Sequence, residues 1–397
     1  MLPRPNWIEI DLDALSHNIA SIKKRIPHHT KFLFPVKADA YGHGSLACSF
    51  AAQKIGVDML GVAHLFEGID LKRWGITIPV LVLGPLLLED FPYLVRYKLT
   101  PTITSLDVAI AFDEFLKSKG LKWRVHLKID TGMGRYGFDS HEISDILKVF
   151  DLKNIEVEGI FSHMACSENT DAESNHKQIE QFKEVLNQLP IVPFYVHLAN
   201  SAAVFNYPET HFSMIRPGLA SYGYSPLKSS ARELGLKPVL ALKATIRQVK
   251  WIAKGTSVSY GHRWTASQPT KVASVAIGYG DGYFRNALYP HPFFVDETPC
   301  NTLGTICMDT TLIDVTHLEN AHIGQEVSII DGAHHSKISL EKLAESLGTI
   351  PYEISCRMAR RLYRKYLWQG KILDWNSIRQ ELDIQEPKEP LWTTQSL

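Results

Sequence analysis

Several polar residues in the first half of the chain stand at the ends of short apolar runs, where they could be aimed into one common site. Lys37 follows Phe32-Leu-Phe-Pro-Val36 and precedes Ala-Asp-Ala-Tyr41-Gly-His-Gly44. An amine enclosed by apolar neighbours holds its proton less tightly and becomes a nucleophile able to capture an aldehyde. The plainer reading is a lysine whose head reaches solvent at a rim. Gly42 and Gly44 permit close backbone approach and the Tyr41 phenol can donate to an anion, which favours the reactive reading. His126 and Lys128 alternate in another apolar run that closes at Asp130 and leads into Thr-Gly-Met-Gly-Arg135. Ser162-His163, His197-Leu-Ala-Asn200-Ser201 and Arg216-Pro-Gly218-Leu219 finish three more. Packing alone does not demand this convergence of polar residues. Glycine-containing turns such as Arg216–Leu219 offer backbone N–H groups to phosphate, and Ser201 adds a donor. Read as metal ligands, His126, His163 and His197 would have the Lys128 cation on the face of His126, and no H-x-H opens the first run, so no metal is expected.

The runs that position these residues read as buried parallel strands: Phe32–Lys37, Met59–Ala63, Pro79–Gly84, Pro101–Thr104, Val125–Asp130, Val157–Met164, Tyr195–Asn200 and Phe212–Gly218. Helical patterns such as Ser45–Ile55, Leu65–Trp74, Val108–Lys119 and Ser174–Gln188 lie between them. Eight strands alternating with helices predict an α/β fold, a (β/α)8 TIM barrel, whose sites lie at the C-terminal strand ends. The rival is a doubly wound open sheet, but Gly42 and Gly44 do not supply its dinucleotide fingerprint. From about Lys237 the texture becomes β-rich, with Val239–Trp251, Val272–Tyr279, Thr305–Val315 and Gln325–Ile330, then helices over Ser339–Leu347 and Tyr352–Tyr366. The expected organisation is a strand within residues 1–11, pairing with the second domain; a barrel over 12–236; a mainly β domain over 237–370; and a loosely held tail over 371–397.

The 397 residues include 42 Lys plus Arg and 42 Asp plus Glu, so bulk charge favours neither nucleic acid nor an anionic membrane. The longest apolar stretch, Ile76–Leu88, is broken by Pro79, Gly84 and Pro85 and is too short to span a bilayer. The opening residues do not read as a secretory leader. Five widely spaced cysteines without C-x-x-C fit reduced thiols in a cytoplasmic protein.

Taken in order, these motifs resemble those of the alanine racemase family of fold-type III pyridoxal-phosphate enzymes. The resemblance covers residues 5 to 366 and continues with Val258-Ser-Tyr260-Gly, Gly278-Tyr279-Gly-Asp-Gly, Cys307-Met308-Asp309 and Ile350-Pro-Tyr352-Glu. It implies a pyridoxal 5′-phosphate enzyme that racemises alanine with two bases, Lys37 carrying the cofactor and Tyr260 reaching in from the partner of a homodimer. Arg216 would face the pyridine nitrogen. Arg135 would contact the cofactor's phenol oxygen and the substrate carboxylate, held by Lys128, which is carbamylated in many members. Tyr41, Ser201, Gly218, Leu219 and Tyr352 would hold the phosphate, with Asn200 beside them and His163 against the ring. Met308 would bind the substrate carboxylate through its N–H, and Tyr279 and Arg285 would line the entrance. The implied role is supply of D-alanine for peptidoglycan. Three positions depart from the pattern: Tyr136 for leucine, Gly280 for alanine and Thr305 for arginine.

Other readings stay open at this point. A decarboxylase of related fold would carry an acidic partner for the pyridine nitrogen, where this chain has Arg216. A broad-specificity racemase on the same fold would typically be exported and disulfide-bonded, whereas the opening residues do not read as a secretory leader; between alanine and serine the residues do not choose. A non-catalytic pyridoxal-phosphate carrier would lack the β-rich domain that holds Tyr260.

Overall fold

The computed structural model describes residues 5–227, 231–285, 292–332, 337–359 and 361–386. Eight parallel strands pair in chain order: Lys31–Pro35, Met59–Val62, Val80–Val82, Thr100–Ile103, Trp123–Asp130, Ile155–Phe161, Tyr195–His197 and Met214–Ile215. Met214–Ile215 pairs back onto Lys31–Pro35, which closes the barrel. The two-residue period of a strand sorts the side chains. In the first strand Phe32 and Phe34 join the large core shared with the helices, while Leu33 joins a separate small cluster with Met59, Leu81 and Met214. That cluster fills one end of the barrel lumen, and the polar residues occupy the other.

The second sheet is organised around the long strand Leu240–Ile252, antiparallel to Asn6–Asp11, Thr270–Val275 and Glu326–Ile330. Its alternation is that of a half-buried strand: Leu240, Leu242, Ala244 and Ile246 are fully buried while the residues between them are partly exposed. Asn6–Asp11 also runs parallel to Tyr363–Trp368, so the first ordered strand of the chain lies in the second sheet. Asp11 then caps the helix Leu12–Lys23 by accepting the Ala14 N–H at 2.7 Å.

The structure corrects four details. The first barrel strand ends at Pro35, so Lys37 stands beyond it rather than at its tip. The eighth strand is only Met214–Ile215, much shorter than 212–218. The helix expected over 352–366 stops at Arg357, and Tyr363–Trp368 is a strand. Tyr366 and Trp368 are buried in it at alternate positions, a period-two signal hidden by the helix-like spacing before it. The tail is not loosely held through residue 386. Lys371–Leu373 pairs with Tyr363–Trp368, and the helix Trp375–Glu381 buries Ile378, followed by buried Leu382 and Ile384. Trp375 meets Trp74 edge-on at 6.0 Å, which fastens this segment to a barrel helix. Residues 387–397 lie outside the described part.

Candidate active site

A cavity of about 690 Å³ opens at the C-terminal ends of the barrel strands. Lys37, Tyr41, Lys128, Arg135, His163, Asn200, Ser201, Arg216, Gly218, Leu219 and Tyr352 all line it, the last from the second domain.

Lys37 is placed by an unusual backbone. Ala38, Asp39, Ala40 and Tyr41 have φ of 51°, 54°, 54° and 54°, a left-handed turn made without glycine. Each such residue costs roughly 1–2 kcal/mol, so the surroundings must hold the turn. One carboxylate, Glu67, accepts the Ala38 N–H at 2.7 Å and the Ala63 and His64 N–H groups at 2.7 and 3.0 Å. Asp39 accepts the Ser45 N–H and pairs with Arg364 at 3.1 Å, and Arg364 also donates to the Gly42 carbonyl. Gly42 closes the turn at φ 83°, and a Cβ there would stand 1.9 Å from the Ser355 carbonyl oxygen, so only glycine lets the turn dock on the second domain. Burial first, then Arg135, lowers the affinity of Lys37 for its proton, with Glu67 opposing.

Three further cations face the same space. Arg216 is buried, with Nη1 donating to His197 Nδ1 at 3.0 Å and to the His197 carbonyl at 2.8 Å. Its Nη2 donates to the Ser162 carbonyl at 2.7 Å and meets His163 Nδ1 at 3.3 Å. Burial and Arg135 pull its proton affinity down to about 9. Lys128 is almost fully buried, and among the described residues its amine has no hydrogen-bond partner. Burial, Arg216 and Arg135 bring it down to about 7. Phe161 and Tyr136 stack near it, their ring centroids 5.1 and 5.7 Å from the amine. The Arg135 guanidinium lies 5.0 Å from the same Tyr136 ring, so the tyrosine that departs from the family pattern supports both cations. Asp130 accepts the N–H groups of Gly132, Met133, Gly134 and Arg135 and so shapes the loop that carries Arg135.

The far end of the cavity is built from neutral donors. Burial pushes the Tyr41 and Tyr352 phenols above their usual range, so both keep their protons at neutral pH. Their rings lie 5.3 Å apart, and a Cβ on Gly218 would fall 2.7 Å from the Tyr41 hydroxyl. Ser201 accepts the Ala220 N–H at 3.1 Å, and Asn200 caps Ser201–Asn206 by accepting the Ala203 N–H. Desolvation and the cations Arg216, Lys128, Arg135 and Lys37 keep His163 neutral.

Four residues expected in the site are not in this cavity. Tyr260, Met308 and Tyr279 are exposed by 67, 51 and 39 % on the second domain, and Arg285 is exposed there too. The first three form one surface cluster: Tyr279 donates its N–H to the Cys307 carbonyl and Gly280 donates to the Met308 carbonyl. The two other departures from the pattern lie here. Thr305 donates its hydroxyl to the Tyr260 carbonyl at 2.8 Å, which pins the tyrosine's loop. A Cβ on Gly280 would meet the Arg361 guanidinium at 2.6 Å, and Arg361 pairs with Asp281 and Asp309 on either side. Glu67 and Arg364 escaped the sequence reading. Glu67 had a faint signal, an acid three residues into a helix start at His64.

Comparison with known proteins bears on the family and the fold. Residues 10–226 match the alanine racemase N-terminal domain, and residues 239–366 match the alanine racemase C-terminal domain. The chain is 39% identical over 375 residues to the alanine racemase of Geobacter sp. strain M21, covering 92% of this chain and 99% of that one. It is 36% identical to the alanine racemase of Methanococcus maripaludis, over 92% of this chain and all of the relative. The solved structure of alanine racemase from Clostridium difficile 630 superposes with a TM-score of 0.88 at 33% identity, over 94% of this chain and 98% of that one. That of alanine racemase from Bacillus anthracis with bound L-Ala-P does so with a TM-score of 0.86 at 30% identity, over the same shares. A match that runs through both domains in sequence and in three dimensions places this chain in the alanine racemase family.

Proposed function

We propose that the chain interconverts L- and D-alanine with pyridoxal 5′-phosphate held in the cavity at the barrel mouth. The observation that carries this is the amine of Lys37, poised on a strained turn with its proton affinity lowered, in a cavity that also gathers Lys128, Arg135, Arg216 and the Tyr41 and Tyr352 phenols, with Glu168 the one acid in its lining among the described residues. The family works with pyridoxal phosphate, and the residues present fit it. Lys37 would hold the aldehyde carbon. Tyr41, Ser201, Tyr352 and the backbone of Gly218 and Leu219 would hold the phosphate, with Asn200 close by. His163 would lie against the ring, and Arg216 would face its nitrogen. The hydrogen bonds of Arg216 to His197, Ser162, His163 and Leu198 all leave from Nη1 and Nη2. When bound, the cofactor supplies a carbonyl to hold the amino acid and a ring to take up the electrons left when the α-proton departs.

The protein's own part is to hold the carboxylate, exclude water and move one proton. Arg135 and the Met308 N–H would hold the carboxylate, and Tyr279 and Arg285 would screen the approach. Lys37 takes or returns the proton on one face of Cα. The Tyr260 phenol, supplied by a second copy of the chain, does so on the other. This reading calls for a homodimer with shared sites, and it is supported by Tyr260 being exposed and outside the cavity of its own chain. Lys128 is proposed to react with carbon dioxide. Its partly neutral amine, without a hydrogen-bond partner among the described residues, meets that requirement, and the anion formed would be near the Arg216 and Arg135 cations. Among the described residues no helix is long and apolar enough to cross a membrane. Five free cysteines support a cytoplasmic setting, and we assign the product to cell-wall peptidoglycan.

The test is to incubate purified protein and cofactor with L-alanine, and separately with L-serine, and to assay the D-isomers. D-alanine forming faster than D-serine is expected. Faster racemisation of serine would overturn the substrate, and no racemisation of either would overturn the function.

A further inference from the structure

Beneath the cavity a line of buried polar groups runs back through the barrel, and the reaction as described makes no use of it. Arg216 Nη1 lies 3.0 Å from His197 Nδ1, His197 Nε2 lies 2.9 Å from His126 Nδ1, and His126 Nε2 lies 3.7 Å from Glu158 Oε1. Both imidazoles are fully buried, whereas Glu158 retains some solvent contact. The line is built by the local backbone. Glu158 falls at the register shift where Val125 pairs with Val157 and His126 with Gly159. A Cβ at Gly159 would stand 2.4 Å from His126 Nδ1, so glycine is what admits the ring.

The proton positions follow from one fact: a guanidinium has no acceptor. His197 Nδ1 must therefore carry a lone pair toward Arg216, and its proton must be on Nε2. That N–H donates to His126 Nδ1, so the His126 proton is also on Nε2, aimed at Glu158. Burial holds both rings below their usual proton affinity, against the opposing pull of Glu158 on His126 and with Arg216 lowering both further, so neither ring takes a second proton near neutrality. At 3.7 Å the last step is charge–dipole attraction rather than a formed hydrogen bond, and among the described residues His126 Nε2 has no other partner. The groups around it are Tyr195, stacked at 5.5 Å, and Arg124, 3.8 Å from the same carboxyl.

We infer that Glu158 is a positioning residue for Arg216, acting through His126 and His197 as two aligned dipoles. The inference rests on the reading that Arg216 faces the cofactor's ring nitrogen. A negative charge at the far end makes each imidazole a better acceptor in turn. A guanidinium that shares an Nη1 proton strongly with His197 is a weaker proton donor at its remaining edge. The ring nitrogen opposite stays unprotonated, and misdirected protonation, which releases pyruvate and leaves the amino group on the cofactor, stays rare.

Two measurements test this. Nitrogen-15 NMR of histidine-labelled holoenzyme should show His126 and His197 neutral and protonated on Nε2. An Nδ1–H tautomer or an imidazolium at either position overturns the inference, whatever the role of Arg216. In Glu158→Gln holoenzyme, pyruvate released per D-alanine formed should rise severalfold and kcat should fall roughly tenfold at unchanged KM, with Glu158→Asp restoring most of both. Gly159→Ala, which displaces the His126 ring, should do the same if Glu158→Gln folds poorly. Arg216→Gln separates the two ideas. If it raises pyruvate release and both upstream variants leave it unchanged, the line is inert and the inference fails. If Arg216→Gln itself leaves it unchanged, the reading of Arg216 fails first.

Discussion

The barrel mouth and the exposed face of the second domain solve opposite problems. At the mouth, Arg216, Lys128 and the Lys37 amine are crowded together and largely desolvated beside the exposed Arg135, restrained by backbone carbonyls, aromatic rings or a strained turn. On the second domain, Tyr260, Tyr279 and Met308 reach solvent from loops held by ordinary hydrogen bonds. The first region is complete within one chain and electrostatically costly. The second is inexpensive and, alone, without use. Tyr260 is held at its backbone by Thr305, its ring is exposed, and it does not line the cavity of its own chain.

The largest expected effect breaks the first region. Lys37→Ala should remove racemisation by on the order of 10³-fold or more, since a residue acting as a unit with its partners fails all at once. Borohydride reduction of the wild-type holoenzyme should fix the cofactor on residue 37 in the peptide map. Labelling at Lys128 instead would shift the nucleophile to the fifth barrel strand.

Next is the link between the regions. Tyr260→Ala should be nearly inactive alone. Mixed with Lys37→Ala under conditions of subunit exchange, it should recover about a quarter of wild-type activity, because half the dimers then hold one intact site of two. No recovery would mean that each chain supplies both of its own bases, which requires a large movement of the second domain.

The alternation of apolar runs and helices made the barrel legible, because buried parallel strands write themselves as continuous apolar stretches. Lys37, Arg135, His163 and Arg216 stood out because charge at the end of such a stretch has no packing reason. The restraints on them were not legible. Glu67 acts through backbone N–H groups that any residue supplies, so nothing in its partners' identities marks it. The left-handed turn is made by two alanines, an aspartate and a tyrosine, none of which announces positive φ. The strand Tyr363–Trp368 was misread because its pairing partner, Asn6–Asp11, lies over 350 residues away, beyond any local pattern.

Glu67 gives the third prediction. Glu67→Ala leaves three amides without their acceptor around a turn that costs several kcal/mol to hold. Racemisation should fall about tenfold and stability by about 2–3 kcal/mol. Glu67→Gln keeps one acceptor oxygen and should lose less of both. Equal losses in the two variants, measured by denaturant melts and initial rates, would show that charge toward Lys37 matters more than the turn.

The smallest effect is the most specific to the crowded cations. Lys128 has a proton affinity of about 7 in the folded chain against an ordinary 10.5. Between those values the unfolded chain binds a proton that the folded chain has released, so stability rises with pH across that window. Below pH 7 both states hold the proton, and the cost of burying it is fully present. Lys128→Met, similar in volume and uncharged, should therefore stabilise the protein most at pH 6, with the advantage shrinking toward pH 10. Bicarbonate should separate packing from charge. Carbon dioxide adds to the neutral amine with release of one proton, and the resulting anion lies among arginines, so Tm of the wild type should rise with bicarbonate while that of Lys128→Met does not. A rise in both would place the effect elsewhere, and a rise in neither would leave the cations of the mouth held apart by Phe161 and Tyr136 alone.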